Sequence, residues 1–110
     1  MPVTHADECP MPDVVIERKI SNDYEWTVDE RVSLENILAV KRLIAVRIKD
    51  NGEYMSCKYT TGRQLVRLYG IPKTDKCVIK IASGEWISTD TGELVCQEKD
   101  ITLCIFDIEC

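Results

Sequence analysis

Alternation of apolar and polar positions dominates the second half of the chain, and helical spacing interrupts it in two places. Ile44, Val46 and Ile48 alternate with Ala45 and Arg47, as in a strand with one face in a core. Lys49-Asp50-Asn51-Gly52 follows. Asn-Gly favours a hairpin because a type I′ turn needs positive φ at both central positions. The return strand is expected over Glu53 to Tyr59, with Met55, Cys57 and Tyr59 on one face and Tyr54, Ser56 and Lys58 on the other. Further along, Cys77 to Ile81 predicts a third strand, Ser83-Gly84 a turn, Trp86-Ile87-Ser88 a short continuation and Asp90-Thr91-Gly92 another turn. Ile101 to Ile108 is apolar on both faces, which predicts a strand in the middle of a sheet.

The first helical stretch lies within residues 29–43, where Leu34, Ile37, Leu38 and Lys41 recur at helical spacing, Ser33 can cap the first turn and Glu35 follows it. A strand continuing through Leu43-Ile44-Ala45-Val46 is the competing reading of its end. The second stretch opens with Thr61-Gly62-Arg63-Gln64, the pattern of a capping box, in which the Thr61 hydroxyl accepts from the Gln64 amide. Leu65, Leu68 and Tyr69 then form one apolar stripe, Gly70 suits a left-handed C′ position and Pro72 stops the helix. Upstream, Val14-Val15-Ile16 and Tyr24 to Val28 read as short strands around a Ser21-Asn22-Asp23 turn, and residues 1–13, with Pro2, Pro10 and Pro12, as an unanchored tail. The expected organisation is a tail over 1–13, an N-terminal extension over 14–43 and a compact domain over 44–110.

A β-hairpin, one helix and further strands ending in a central one make the layout of an α+β fold of the ubiquitin-like β-grasp type, a mixed sheet packed on one short helix. The run Thr61-Gly62-Arg63-Gln64-Leu65-Val66-Arg67-Leu68-Tyr69-Gly70-Ile71-Pro72 resembles the helix motif of bacterial multiubiquitin-type domains, and the strand around Cys77 to Ile81 and the stretch from Glu93 to Phe106 follow in similar order. This resemblance spans about residues 44–108. It implies a ubiquitin-like module, either binding a partner or being conjugated as a modifier. Conjugation needs a C-terminal diglycine, whereas this sequence closes with Asp107-Ile108-Glu109-Cys110, so binding is the stronger expectation.

Nineteen acidic against fourteen basic residues give a net charge of −5, a field that repels nucleic-acid backbones and anionic membranes. The expected partner is therefore another protein. A second copy is the alternative, joined through the Leu34, Ile37 and Leu38 stripe. A small acidic inhibitor or decoy of a basic enzyme is a third reading of the same composition. No apolar window approaches the ~20 residues of a membrane span, and no signal-like stretch opens the sequence, which together predict a cytoplasmic setting.

In that setting the six cysteines, Cys9, Cys57, Cys77, Cys96, Cys104 and Cys110, are expected as thiols, with Cys57, Cys77 and Cys104 packed as small core residues. Cys110 reads first as an incidental end residue, with thiol chemistry at an exposed terminal cysteine as the alternative. No two form a C-x-x-C pair and the one histidine, His5, falls in the tail, so no zinc site, cofactor or catalytic constellation is expected and the chain reads as non-enzymatic. The residues expected to meet a partner are Trp86 and Trp26, because tryptophan dominates interface energetics, and Tyr54 with Arg47, Lys49 and Lys58 on the sheet face away from the core.

Overall fold

A computed structural model of the chain describes residues 9–10, 24–28, 33–74 and 76–110. Among these, eight strands and one short helix follow in order: β1 (Tyr24–Val28), α1 (Leu34–Leu38), β2 (Arg42–Lys49), β3 (Tyr54–Thr60), β4 (Leu65–Pro72), β5 (Val78–Ser83), β6 (Trp86–Ser88), β7 (Leu94–Cys96) and β8 (Ile105–Glu109). Six form one sheet in the order β1-β4-β3-β2-β7-β6, and β5 pairs with β8 in a second sheet. Every pairing is antiparallel. This corrects the β-grasp expectation: among the described residues both sheets are antiparallel rather than one mixed sheet, and the short helix expected to pack on it does not form.

The largest correction falls on residues 61–72, a turn followed by strand β4 rather than a helix. Val66, Leu68, Gly70 and Pro72 are buried and the residues between them are not, which is the period of two that a half-buried strand imposes. The hydrogen bond expected of the capping box does form, Gln64 N–H to Thr61 Oγ1 at 3.0 Å, but the backbone N–H of Thr61 also donates to the Gln64 carbonyl at 3.0 Å. Together they close the hairpin between β3 and β4. Gly70 is opposite Trp26 in the β1–β4 ladder, and a β-carbon there would stand 2.6 Å from the indole. Glycine is thus set by a ring lying on the strand, not by a helix end.

The β2–β3 hairpin appears where expected, and Met55, Cys57 and Tyr59 are fully buried together. Its loop is longer than a two-residue turn: Lys49 pairs with Tyr54, and Asp50, Asn51 and Gly52 all take positive φ. Gly52 approaches the Ile79 backbone so closely that a β-carbon would lie 2.5 Å from its carbonyl oxygen. Helix α1 carries the expected Ser33 cap, with Asn36 N–H donating to the hydroxyl at 3.3 Å, yet only Ile37 is buried, while Leu34 and Leu38 are 57 % and 60 % exposed. Five residues make little more than one turn, too short to bury a stripe. The expected strand at Val14-Val15-Ile16 lies outside the described residues.

The last strand is also placed differently. Ile101–Leu103 is a 3-10 turn, and β8 pairs only with β5, so it is not central to a sheet. Its apolar residues face the six-stranded sheet instead: Phe106 is fully buried, 5.7 Å from the ring of Tyr24 and 6.5 Å from that of Trp26. An isolated pair of strands is barely stable in water. This one is held by packing and by covalent links.

Those links overturn the expectation of thiols. Cys9 is bonded to Cys57, Cys77 to Cys110 and Cys96 to Cys104, which leaves no free cysteine, Cys110 included. Cys77–Cys110 extends the β5–β8 ladder by one cross-strand pair, beyond Val78 and Glu109. Cys96–Cys104 joins the end of β7 to the residue that leads into β8, tying the small sheet to the large one. Cys9–Cys57 fastens residues 9 and 10 over the middle of β3, where the Tyr59 hydroxyl donates to the Pro10 carbonyl.

Burial raises the pKa of the Tyr59 phenol above its ordinary value, because the phenolate would lose its hydration. The unfolded chain releases that proton near pH ~10, whereas the folded one keeps it to higher pH. Unfolding is then favoured as pH climbs past that point, by up to about 1.4 kcal/mol per pH unit. Denaturant midpoints measured from pH 8 to 11 should fall more steeply for the parent protein than for Tyr59→Phe; parallel curves would show that Tyr59 is not the group responsible.

Candidate functional site

Strand register decides which side chains share the outer face of the six-stranded sheet. Opposite residues lie on one side, so Thr27, Tyr69, Ser56, Arg47, Val95 and Ile87 form a row across all six strands. At a strand spacing of ~4.8 Å this row runs roughly 24 Å. The next row down β3 joins Arg67, Lys58 and Ala45. Tyr54 lies above Ser56 on the same face, opposite Lys49, and its ring centroid is 6.4 Å from that of Tyr69. Ser56 is buried although it faces outward, flanked in the row by Arg47 and Tyr69.

Charge on this face is unbalanced. One acid, Glu93, serves two cations: Arg47 at 3.5 Å and Lys49 at 3.3 Å. Among the described residues, Lys58 and Arg67 have no ion-pair partner, although they stand directly opposite each other on adjacent strands. Like charges in that relation are unfavourable by roughly 0.2–1 kcal/mol. Arg47 Nε is also buried with no acceptor among the described residues, a further cost. From Lys41 to Pro72 there are seven cations and two acids, and from Cys77 to Cys110 two cations and seven acids. Five of the fourteen cations, Arg42, Arg47, Lys49, Lys58 and Arg67, are on β2, β3 and β4, strands that contain no acid.

The six residues expected to meet a partner separate into two groups. Arg47, Lys49, Tyr54 and Lys58 are together on the outer face. Trp26 and Trp86 are on the inner side, half-buried against the core: Trp26 lies over Gly70, and Trp86 stands opposite Cys96 and donates its indole N–H to the Ser83 carbonyl at 2.9 Å. Both indoles pack against the core with part of their surface left accessible. Tyr69 and Arg67 belong to the outer face and were hidden while residues 61–70 read as a helix, where Arg67 faces solvent alone. The signal that finds them is the alternation Val66, Leu68, Gly70, whose intervening positions are Arg67 and Tyr69.

Among the described residues no group of three or more His, Cys, Asp or Glu side chains is arranged to hold a metal ion, and no helix is long and apolar enough to cross a membrane. Comparison with family models, with curated proteins and with solved structures gives no match.

Proposed function

We propose that this protein is a non-catalytic binding module that works in an oxidising setting and holds an acidic surface of another protein on the outer face of its six-stranded sheet. The observation that carries the reading is the unpaired Lys58–Arg67 row beside Tyr54 and Tyr69, on a molecule whose net charge is −5. Aromatic rings next to arginine are the composition of interface centres. An acidic partner relieves the repulsion between Lys58 and Arg67, and complementary charge speeds encounter as well as strengthening the complex. The negative remainder of the molecule disfavours a long polyanion such as nucleic acid. The oxidising setting replaces the cytoplasmic expectation because cytosolic thiols are kept reduced, and six cysteines joined in three bonds need a compartment that preserves them.

The test is affinity capture with the full chain from its native extracellular or periplasm-like fluid, read by mass spectrometry and repeated with Lys58→Glu and Arg67→Glu together. Bound protein should fall at least about tenfold in the double variant, and the parent complex should weaken as salt rises. A partner retained equally by both proteins overturns the assignment to this face. Nuclease treatment that releases the captured material assigns the face to nucleic acid instead and overturns the protein reading.

A further inference from the structure

A second concentration of positive charge lies away from the sheet face, in a pocket of about 460 Å³ between the end of α1 and the turn joining β3 to β4. Lys41 and Asn36 line one wall and Thr61, Gly62, Arg63 and Gln64 the other. It is an open depression, with Ala39, Lys41, Gly62, Arg63 and Gln64 exposed around it. It is lined by two cations and by side-chain amides, with no carboxylate, although acids outnumber bases in the chain as a whole.

Both walls are fixed by backbone hydrogen bonds. Lys41 N–H donates to the Thr60 carbonyl at 2.9 Å, extending the β2–β3 ladder by one residue. The opposite wall is a turn in which Thr61 Oγ1 accepts from the backbone N–H of Arg63 at 3.3 Å and of Gln64 at 3.0 Å. A hydroxyl that accepts twice still has its own proton to donate. Lys41 Nζ stands over Gly62, 3.7 Å from where a β-carbon would be, so the ammonium sits beside the residue that precedes Arg63. Among the described residues neither Lys41 nor Arg63 has an ion-pair partner. Two like charges on one concavity repel each other, and the Thr61 hydroxyl proton and the Asn36 and Gln64 amide groups can donate beside them.

We propose that this pocket binds an oxyanion, the phosphate, sulfate or carboxylate group of a small soluble molecule. Arg63 supplies a planar pair of donors suited to two oxygens of one anion, Lys41 a point charge, and the Thr61 hydroxyl with the Asn36 and Gln64 amides the neutral donors. The site is independent of the acidic partner proposed above, because none of its residues is in the Arg47–Lys58–Arg67 group.

The test uses the full oxidised chain, labelled with ¹⁵N and titrated with inorganic phosphate, with sulfate and with acetate at constant ionic strength, chloride being the background anion. Saturable shifts confined to the amides of Lys41 and of residues 61–64 are expected. They should require about tenfold more anion in Lys41→Gln with Arg63→Gln, and in Arg63→Gln alone should weaken in the same direction. Ordering of the three anions identifies the group: phosphate and sulfate above acetate indicates a tetrahedral oxyanion, the reverse a carboxylate. Linear, unsaturable shifts, or shifts that survive unchanged in a double variant whose remaining spectrum matches the parent, overturn the site. Lys58→Glu with Arg67→Glu should leave this titration unchanged, so failure here and failure of the sheet-face reading are told apart.

Discussion

Treated with a strong thiol reductant at neutral pH, the protein is expected to unfold. Cross-linking lowers the entropy of the unfolded chain by an amount that grows with the loop closed. By that relation the bond between Cys9 and Cys57, separated by 48 residues, contributes roughly 4 kcal/mol, Cys77–Cys110 at a separation of 33 a little less, and Cys96–Cys104 at 8 between about 2 and 3. The third loop lies inside the second, so the sum, on the order of 10 kcal/mol, is an upper figure. Whole domains of this size are stable by only about 5–15 kcal/mol. Far-ultraviolet circular dichroism with temperature, with and without reductant, should show the melting transition lost or moved down by tens of degrees once six thiols titrate. A fully reduced protein that melts within a few degrees of the oxidised one would mean that the sheets hold without their links, and would remove the main support for an oxidising setting. Pairwise replacement by alanine should rank the bonds, with Cys9 and Cys57 together giving the largest drop. That pair also removes a sulfur from the fully buried position 57, adding a cavity cost.

The disulfides were not legible in the sequence because pairing depends on which strands meet, and six cysteines allow fifteen connectivities. What local pattern does determine is visible at β3, where Met55, Cys57 and Tyr59 alternate against Tyr54, Ser56 and Lys58 with no competing period. At residues 61–72 the same approach fails for a definable reason. Leu65, Val66, Leu68 and Tyr69 satisfy both a helical stripe and a strand alternation, and the Thr61 hydroxyl closes a hairpin with the same bond it would use as a cap. Gly70, which suits a helix end, is instead required by Trp26 on the neighbouring strand. Long-range pairing with β1 and β3 decides between the two periods, and no window of the sequence contains it.

The candidate site inherits that ambiguity. Arg47, Lys49, Tyr54 and Lys58 could be grouped because one hairpin carries them all. Arg67 and Tyr69 join them only when β4 is a strand, and it is Arg67 that turns an ordinary solvated face into one with two opposed cations and no acid between them. The tryptophans went the other way. Both are near turns in the sequence, but register places each opposite an inner-face residue, Gly70 for Trp26 and Cys96 for Trp86, and therefore against the core. Proximity to a turn says little about which face a strand residue occupies.

Phe106→Ala is expected to destabilise the oxidised protein by about 4 kcal/mol. Phe106 is fully buried on β8, its ring edge-on to Tyr24 at 5.7 Å and to Trp26 at 6.5 Å, so it is the side chain through which the two-stranded sheet grips β1 of the six-stranded one. Loss of the ring removes buried apolar surface and two aromatic contacts, and the gap cannot close easily. Cys96–Cys104, which ties the small sheet to the large one, limits how far β8 can move toward the sheet to refill it. Each kcal/mol is worth roughly 4–8 °C of melting temperature in a domain of this size, so the midpoint should fall by at least about 15 °C. Tryptophan fluorescence should change as well, because Trp26 loses its neighbour. Ile87→Ala provides the contrast: Ile87 is on the outer face and 52 % exposed, and its removal should shift stability by no more than about 0.5 kcal/mol. A Phe106→Ala protein as stable as Ile87→Ala would mean that β5 and β8 are held by their disulfides alone. Because the proposed partner surface is on the opposite side of the sheet, a Phe106→Ala protein that still folds at low temperature should keep its binding, whereas Lys58→Glu with Arg67→Glu should lose binding while its midpoint stays within a few degrees.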